Sequence, residues 1–383
     1  MATAATGASM ISTTLNAQER LDWLRLIRSD HVGPITFHNL LQRYGSAAAA
    51  LDALPELARR GGRRDFKTCS RAAAERELAA VHKLGGRLVA WGEPDYPPLL
   101  LPLEDAPPLL TLVGDAGLLA GRHVIGVVGA RNASAAGQKM AREIARDLGE
   151  AGVAVVSGLA RGIDTAAHYG AIDTGTVAVV AGGADIVYPE ENRALQTEIA
   201  TRGLLIAEQP AGKEPRARHF PRRNRLVSGV SLGILVVEAA LRSGSLITAR
   251  LAGEQGRDVF AIPGSPLDPR CRGSNDLIRH GAALVESAAD VLSALGTLPP
   301  SPPVIRRPRP ETAHPEPTEE AYPADSVSGL VLSLLGPTPV TVDELIRQCH
   351  LSPSVVATAL LELDLAGRLE RHPGHRVSLA MMG

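Results

Sequence analysis

Apolar residues between about positions 123 and 295 occur in short continuous runs, separated by stretches in which apolar residues recur at helical spacing. Runs without polar alternation are typical of parallel strands that helices cover on both faces. The pattern predicts strands at Val124–Val128, Val153–Ser157, Val177–Ala181, Leu204–Ala207, Ile234–Glu238 and Val259–Ile262, and helices at Ala135–Glu150, Asp164–Thr174, Glu190–Thr201 and Ser245–Gln255. This alternation predicts an α/β fold with an extended, Rossmann-like, doubly wound and mostly parallel sheet.

Smaller units are predicted on either side of the sheet. Two helical patterns joined by the turn His31–Pro34 resemble a sterile-alpha-motif or helix-hairpin-helix domain, and a small bundle without a ligand is the alternative. Near the C-terminus, three helical patterns and a β-hairpin resemble a winged helix. We expect a loose tail at 1–17, the helical domain at 18–90, the core at 91–296, a linker with nine prolines at 297–325 and the winged helix at 326–383. The proline-rich linker is expected to separate the last domain from the core.

Composition restricts the possible functions. The 383-residue chain has a formal net charge of −1, so any contact with a polyanion must come from a local basic patch. The three cysteines, Cys69, Cys271 and Cys349, lie far apart and show no metal-ligand spacing, so we expect neither a metal nor a cofactor. Because the chain lacks a long apolar run and a signal-peptide pattern, we expect a cytoplasmic protein without membrane contact.

Small residues follow three of the predicted strands. The first turn contains Gly129 and Arg131, and the third contains Gly183. The second contains Ser157, Gly158, Ala160 and Gly162. Ligands of doubly wound folds bind at the carboxyl edge of the strands, where helix N-termini attract phosphate groups. We therefore predict a phosphate-binding edge, although each turn taken alone is also compatible with a purely structural tight turn.

A strongly basic segment lies between two of the predicted strands. Lys213–Arg225 contains six Lys or Arg residues, one acidic residue and the aromatic Phe220. Positive side chains neutralise backbone phosphates, and an aromatic ring can stack on a base. The segment therefore predicts a nucleic-acid contact, and a solvated loop with internal salt bridges is the alternative. Ser245, in the small-residue turn Ser243–Thr248, is a further candidate for phosphate binding.

Residue types that suit catalysis do not form a recognisable set. Asp164 is interpreted as a helix cap, and His168 as a polar residue satisfied within the fold. Glu238 is a single carboxylate at a strand end, without a partner for acid–base chemistry. The sequence also lacks the Walker motif of nucleotide-hydrolysing enzymes.

Several motifs together resemble one known family. Phe220–Gly229 (F-P-R-R-N-R-L-V-S-G) resembles the F-P-x-R-N-R-I-I-S-G signature of the DNA-processing protein A family, also called DprA or Smf. Val128–Arg131, Ser157–His168 and Ser243–Ala249 also resemble that family, and the similarity is dense over about residues 92 to 292. The resemblance is weaker in the flanking domains.

The resemblance implies a non-enzymatic mediator of recombination. Members bind single-stranded DNA, displace single-strand-binding protein, load RecA recombinase during natural transformation and form homodimers. The family's DNA contacts correspond here to Arg131, Phe220, Arg222, Asn224 and Arg225. Many members have a lysine where this chain has Ala217, so the role of that lysine is expected either to pass to the neighbouring Arg216 or Arg218 or to be weakened. With the turns above, the predicted DNA-binding set is Gly129, Arg131, Ser157, Gly158, Ala160, Gly162, Gly183, Arg218, Phe220, Arg222, Asn224, Arg225 and Ser245.

Two other functions remain as alternatives. Nucleoside-monophosphate phosphoribohydrolases have a similar sheet and a P-G-G-x-G-T-x-x-E motif, but the turn Pro263–Pro266 is not followed by the required glutamate. The winged helix would read duplex sequence through Ser354–Ala366, yet that predicted helix contains no Lys or Arg. We therefore expect a protein-contact or accessory role for this domain, with weak DNA contact through Arg368, Arg371 and Arg376 as an option.

Overall fold

A computed structural model describes residues 14–60, 65–119, 121–296, 324–366 and 368–380. Most of the predicted tail and most of the predicted linker therefore lie outside the described residues. Within the described residues, no helix combines the length and the apolar character that crossing a membrane requires.

The N-terminal part of the structure is helical. Its helices are α1 (Ala17–Arg28), α2 (Pro34–Tyr44), α3 (Ala47–Arg60) and α4 (Arg71–Lys83). Asn16 begins α1 with a capping box, in which its side chain and that of Glu19 each accept a backbone N–H. Leu24 and Phe37 are fully buried between the helices, which explains the helical spacing of apolar residues in this part of the sequence.

The core of the molecule is one mixed sheet. Its strands are β1 (Arg87–Ala90), β2 (Leu109–Gly114), β3 (Val124–Val128), β4 (Ala154–Ser157), β5 (Thr176–Val180), β6 (Leu204–Ala207), β7 (Gly233–Val236), β8 (Asp258–Ala261) and β9 (Ala283–Leu284). Their order across the described sheet is β1-β2-β6-β5-β4-β3-β7-β8-β9. The pairs β1–β2 and β2–β6 are antiparallel, and the remaining pairs are parallel. This confirms the predicted mostly parallel, Rossmann-like sheet.

Helices connect the parallel strands and cover both faces of the sheet. They are α5 (Ala135–Glu150), α6 (Ile163–Ala171), α7 (Arg193–Arg202), α8 (His219–Gly229), α9 (Gly244–Glu254), α10 (Arg272–Arg279) and α11 (Ala288–Ala294). Strand β3 shows how the sheet is buried, because Val124 and Val128 pack on one face while Ile125 and Val127 pack on the other. Burial on both faces is the physical reason for the continuous apolar runs in the sequence.

Two parts of the core differ from the prediction. Strands β1 and β2 form an antiparallel extension of the sheet that the sequence analysis did not predict, and residues 92–108 connect these two strands. The basic segment is not one continuous loop, because it enters helix α8 at His219. Pro221 is tolerated in the first turn of α8, where a backbone N–H has no partner within the helix.

The C-terminal domain has the predicted winged-helix pattern and packs directly on the core. It consists of α12 (Ala324–Leu334), β10 (Val340–Thr341), α13 (Val342–Cys349), α14 (Pro353–Leu365), β11 (Leu369–His372) and β12 (Arg376–Leu379). Arg270 of the core donates hydrogen bonds to the carbonyl oxygens of Ser333 (2.9 Å) and Leu335 (2.7 Å). Gln348 donates to the Ala135 carbonyl at the start of α5 (3.1 Å). The expectation that the linker keeps this domain apart from the core is therefore wrong.

Candidate nucleic-acid interface

A pocket of about 590 Å³ lies at the carboxyl edge of the parallel strands. The turns after β3 and β4 form its floor, and the first turns of α8 and α9 form its walls. We call it the main pocket. Among the predicted site residues it is lined by Gly129, Arg131, Gly158, Ala160, Phe220, Asn224 and Ser245. The structure thus brings together residues that lie far apart in the sequence, as the sheet topology predicted.

Glycines in the turns allow close approach of the surrounding atoms. A β-carbon on Gly158 would lie 1.6 Å from Nη1 of Arg223, so this position has no room for a side chain. Gly162 has a φ of +74°, and a β-carbon there would lie 2.4 Å from the Ala130 carbonyl oxygen. The glycine pattern in the second turn therefore has a packing reason, in addition to any role in ligand binding.

The second turn is held by buried polar groups. Asp164 accepts hydrogen bonds from the backbone N–H groups of Gly158 (3.2 Å) and Ala160 (3.3 Å). Burial raises the pKa of Asp164, and nearby Arg223 opposes this shift. The N-cap position of α6 belongs to Gly162, so Asp164 organises the turn before the helix instead of capping it from that position.

Arg223 is a pocket residue that the sequence analysis missed. It is buried, and its Nη1 donates to the Val179 carbonyl (3.0 Å). Among the described residues, no carboxylate forms an ion pair with it, and its buried Nε has no hydrogen-bond partner. Burial lowers the pKa of this guanidinium, and Asp164 partly offsets the effect. Arg223 matches the first arginine of the family signature, which was the signal available in the sequence.

Arg131 and Phe220 line the main pocket, and Tyr188 lies beside Phe220 in a small adjoining cavity. The Arg131 guanidinium lies 5.2 Å from the centre of the Phe220 ring, within the range of a cation–π contact. The Tyr188 ring is 5.4 Å from Phe220 and half exposed. Tyr188 was missed because it follows a different strand from Phe220 in the sequence. Together, these three residues offer one exposed cation and two ring faces to a ligand.

The N-terminus of α9 forms the opposite wall. Ser243 is its N-cap, and its hydroxyl accepts a hydrogen bond from the Ser245 backbone N–H (3.3 Å). The Ser243 and Ser245 hydroxyl oxygens are 2.6 Å apart, and Asn224 donates to the Gly244 carbonyl (3.3 Å). The first turn of α9 contains no acidic residue. This wall therefore presents hydroxyl groups and the positive end of a helix dipole, which favour an anion.

Other predicted site residues lie outside the main pocket. The Ser157 side chain is fully buried and donates to the Val127 carbonyl (2.6 Å), so it offers no atom to a ligand. Gly183 is buried in the turn after β5, where its N–H donates to the Lys213 carbonyl (2.8 Å). Arg218 and Arg222 are exposed and line a different cavity on the other side of α8.

Arg225 already has partners within the protein. Its side chain is buried and donates to the Asp105 carbonyl (2.7 Å). It also pairs with the carboxylates of Glu208 and Asp105. Two carboxylates already neutralise this guanidinium and attach α8 to neighbouring segments, and the assignment of Arg225 as a phosphate contact stays a prediction.

Two other titratable residues have structural partners. The Glu238 carboxylate accepts hydrogen bonds from the backbone N–H of Ser134 (2.9 Å) and from its hydroxyl, at the start of α5. His168 is fully buried, and its Nδ1 lies 2.7 Å from the Thr176 hydroxyl. Burial, assisted by the charge of Arg223, lowers the pKa of His168 to about 3. Both residues stabilise the fold around the pocket.

Comparison with known proteins agrees with this geometry. A family model described as DNA recombination-mediator protein A matches residues 87–296. The chain belongs to this DprA family. Models of the DprA-like N-terminal HHH domain and of the DprA winged helix domain match residues 17–80 and 314–375. The resemblance inferred from the sequence motifs is therefore confirmed for all three parts of the chain.

Individual DprA proteins are similar over most of the chain. The putative DNA processing protein DprA of Mycobacterium tuberculosis (strain H37Rv) is 38% identical over 336 residues, which are 83% of this chain and 82% of that protein. The crystal structure of DprA from Streptococcus pneumoniae matches with a TM-score of 0.56 and 38% identity, covering 65% of this chain and 82% of that one. The Helicobacter pylori protein, whose structure was described for its single-stranded DNA binding mode, matches with a TM-score of 0.51 and 29% identity, covering 55% and 95%.

Proposed function

We propose that the main pocket binds single-stranded DNA, with phosphate groups at Arg131, Arg223 and the N-terminus of α9 and a base against Phe220. The observation that carries the proposal is the buried guanidinium of Arg223, which has no carboxylate partner among the described residues. Asp164 attracts this guanidinium but lies beyond ion-pair distance, so its charge is only partly compensated, and a bound phosphate would give it a direct ionic partner. The related H. pylori protein, with its single-stranded DNA binding mode, supports the same ligand.

The shape of the site favours a single strand over a duplex. Phe220 and Tyr188 offer ring faces, and ring faces stack on bases that are not held in a double helix. Most other polar groups of the pocket are backbone N–H groups, hydroxyls and arginines, which suit phosphates better than base edges. Binding is therefore expected to depend little on base sequence.

Membership of the family supports a wider role in recombination. We propose that the protein acts in the cytoplasm without catalysis, protects incoming single strands during natural transformation and loads RecA recombinase. Displacement of single-strand-binding protein and assembly into a homodimer belong to the same proposal. A nucleoside-monophosphate phosphoribohydrolase is the alternative, and release of adenine from AMP by the purified protein would favour it.

A mobility-shift assay tests the proposed ligand. The protein is titrated against an oligothymidylate and against a blunt duplex of the same length, at two salt concentrations. We expect clearly tighter binding to the single strand, because only unstacked bases reach the ring of Phe220. Equal affinity for the duplex would contradict the proposal.

Single substitutions test the assigned contacts. Arg131→Ala should lower the dependence of log Kd on log salt by about 0.7, the contribution of one phosphate contact on a single strand. Phe220→Ala should cost about 1–3 kcal/mol of binding free energy if a base stacks there. Arg250→Ala, on the exposed side of α9 and paired with Glu254, is the matched control and should leave both quantities unchanged. A salt dependence unchanged by Arg131→Ala would assign that residue a structural role.

A further inference from the structure

A second cavity lies on the other side of α8, between the helical domain and the core. Its volume is about 1070 Å³, and we call it the interdomain cleft. The core contributes Lys213, Arg218, His219 and Arg222 to one wall. The end of α1 and the turn into α2, residues 27–36, contribute most of the other wall.

The core wall of the interdomain cleft carries uncompensated positive charge. Lys213, Arg218 and Arg222 form no ion pair with the described part of the chain. The cleft also contains Asp105 and Glu208, but Arg225 already pairs with both of these carboxylates. Three cations are thus left facing one cavity, which attracts an anionic ligand.

The pKa of His219, which lies in the core wall of the cleft, responds to the same positive charge. Its side chain is buried, and its Nδ1 accepts a hydrogen bond from the Arg216 backbone N–H (3.2 Å). Burial lowers the pKa of His219, and the charges of Arg218, Lys213, Arg222 and Arg216 lower it further. The charged groups that lower the pKa of His219 are all cationic. This agrees with the observation that Lys213, Arg218 and Arg222 form no ion pair with described residues.

The wall formed by the helical domain contains an apolar patch of Ile27, Val32, Pro34 and Ile35, beside the polar residues Arg28, His31 and Thr36. Arg28 is paired with Glu77, and Ile35 is 46% exposed although it is a large apolar residue. The first turn of α2 adds no acidic side chain. A ligand that fits this cleft therefore has a charged side and an apolar side, as a single strand has in its phosphates and its base faces.

The interdomain cleft adjoins the main pocket at the first turn of α8. Pro221 lines both cavities, with Phe220 on the side of the main pocket and Arg222 on the side of the cleft. A strand that leaves the Phe220 ring can therefore pass over Pro221 to the three cations. An acidic, apolar peptide would match the two walls of the cleft, but the position of the cleft directly beside the main pocket favours the strand proposed to bind there.

We infer that the interdomain cleft is a second binding site for the same DNA strand, with phosphates at Arg218, Arg222 and Lys213 and bases against the wall of the helical domain. The inference rests on the proposed function of the main pocket. It assigns the helical domain a direct part in binding and makes the strand longer than the main pocket alone would hold.

The test compares oligothymidylates of increasing length by fluorescence anisotropy at several salt concentrations. For long strands, the double variant Arg218→Ala/Arg222→Ala should bind more weakly than the wild type. The slope of log Kd against log salt concentration should fall by about 1.4, which corresponds to two lost phosphate contacts. For the shortest strands that still bind, the variant should match the wild type. Arg216→Ala is the control, because Arg216 is exposed in the same basic segment but lines neither cavity.

A second measurement locates the strand on the opposite wall. A benzophenone photocrosslinker placed at Ile35 should react with long oligothymidylates and not with the shortest ones. Absence of this crosslink, together with length-independent effects of Arg218 and Arg222, would overturn the inference. The inference would also fail if Arg216→Ala weakened DNA binding as much as the double variant does. The cations would then act through the overall positive charge of the segment and not through contacts in the cleft.

The results separate failure of this inference from failure of the proposed function. If Arg131→Ala weakens binding of short strands but Arg218 and Arg222 have no effect at any length, the main pocket binds DNA and the cleft does not. If no oligonucleotide binds, both proposals are wrong. If an acidic, apolar peptide crosslinks at Ile35 and long oligothymidylates do not, the cleft is a protein-docking site and the inference fails.

Discussion

At the scale of single residues, one buried basic side chain lines the main pocket and a second one lies close to it. Arg223 and His168 are both buried, and the charge of Arg223 opposes protonation of His168. The protein keeps His168 neutral and keeps Arg223 without a carboxylate partner in the described structure. The pocket therefore has the positive charge of Arg223, and His168 adds no second positive charge next to it.

The stability of the protein should therefore fall in acid because of His168. Its pKa is about 3 in the folded state and about 6.5 when unfolded, so the unfolded chain binds a proton first as the pH decreases. The contribution is fully present above about pH 6.5 and is lost progressively toward pH 3. Between pH 7 and pH 5 we expect it to lower the free energy of unfolding by about 2 kcal/mol.

Urea unfolding of the wild type and of His168→Asn measures this contribution. Asparagine retains a polar atom for the Thr176 hydroxyl but does not titrate, so the variant should lose about 2 kcal/mol less between pH 7 and pH 5. Comparing the two proteins cancels the contributions of groups that titrate identically in both. The same pH dependence in both proteins would show that His168 does not carry the effect.

At the scale of elements, helix α8 places the residues of the basic segment in different surroundings. Phe220 and Arg223 border the main pocket, Arg222 faces the interdomain cleft, and Arg225 joins the helix to Glu208 and Asp105. The helix was not predicted because polar residues, His219 and Arg223 among them, occupy positions on its buried side. Apolar periodicity, the main signal of a surface helix, is therefore weak in its first turns.

Arg225→Ala should destabilise the fold instead of removing a phosphate contact. The substitution leaves the Glu208 carboxylate without its partner in a mostly buried position, and we expect a loss of about 3 kcal/mol in the free energy of unfolding. Arg222→Ala, on the exposed side of the same helix, should change it by less than about 0.5 kcal/mol. Denaturant unfolding of both variants measures this difference. A stable Arg225→Ala protein whose DNA binding depends less on salt would instead support Arg225 as a phosphate contact.

At the scale of the whole molecule, both flanking domains contact the core beside a cavity. The helical domain is joined to it by the ion pair between Arg20 and Glu93 (2.6 Å) and forms one wall of the interdomain cleft. The winged helix contacts Arg270, which also lines the main pocket. The two ends of the chain thus border neighbouring parts of one proposed DNA-binding surface.

Arg270→Ala should release the winged helix from the core. The substitution removes two charge-assisted hydrogen bonds to the carbonyl groups of Ser333 and Leu335, and we expect docking to weaken by about 2 kcal/mol. It also removes the ion pair with the buried Asp268, so the turn before α10 should lose stability as well. Hydrogen exchange should become faster at the end of α12 and the start of α5, while the sheet remains protected. Gln348→Ala, which removes the hydrogen bond to Ala135, should act in the same direction.

The control for this experiment is Arg272→Ala, because Arg272 is exposed near Arg270 and forms no ion pair within the described residues. Its hydrogen exchange should match that of the wild type. If both Arg270→Ala and Gln348→Ala leave exchange at α5 and α12 unchanged, these hydrogen bonds do not hold the domain in place.

The sequence by itself determined the α/β class, the small-residue turns at the carboxyl ends of the strands and the family. Continuous apolar runs follow from strands buried on both faces, and helix boundaries such as that of α5, predicted at Ala135–Glu150 and observed there, follow from local periodicity and capping. The signature Phe220–Gly229 and the turns after β3 and β4 required only local residue order. These features depend on neighbours along the chain, which is the information that a single sequence contains.

Only the tertiary structure decided which of the basic residues have partners. Arg222, Arg223 and Arg225 are close neighbours in the sequence, yet one is exposed, one is buried without a carboxylate and one is paired with Glu208. The same applies to Tyr188 beside Phe220 and to the docking of the winged helix through Arg270. Charge compensation and solvent access depend on which distant segments meet, so residue type and spacing cannot determine them.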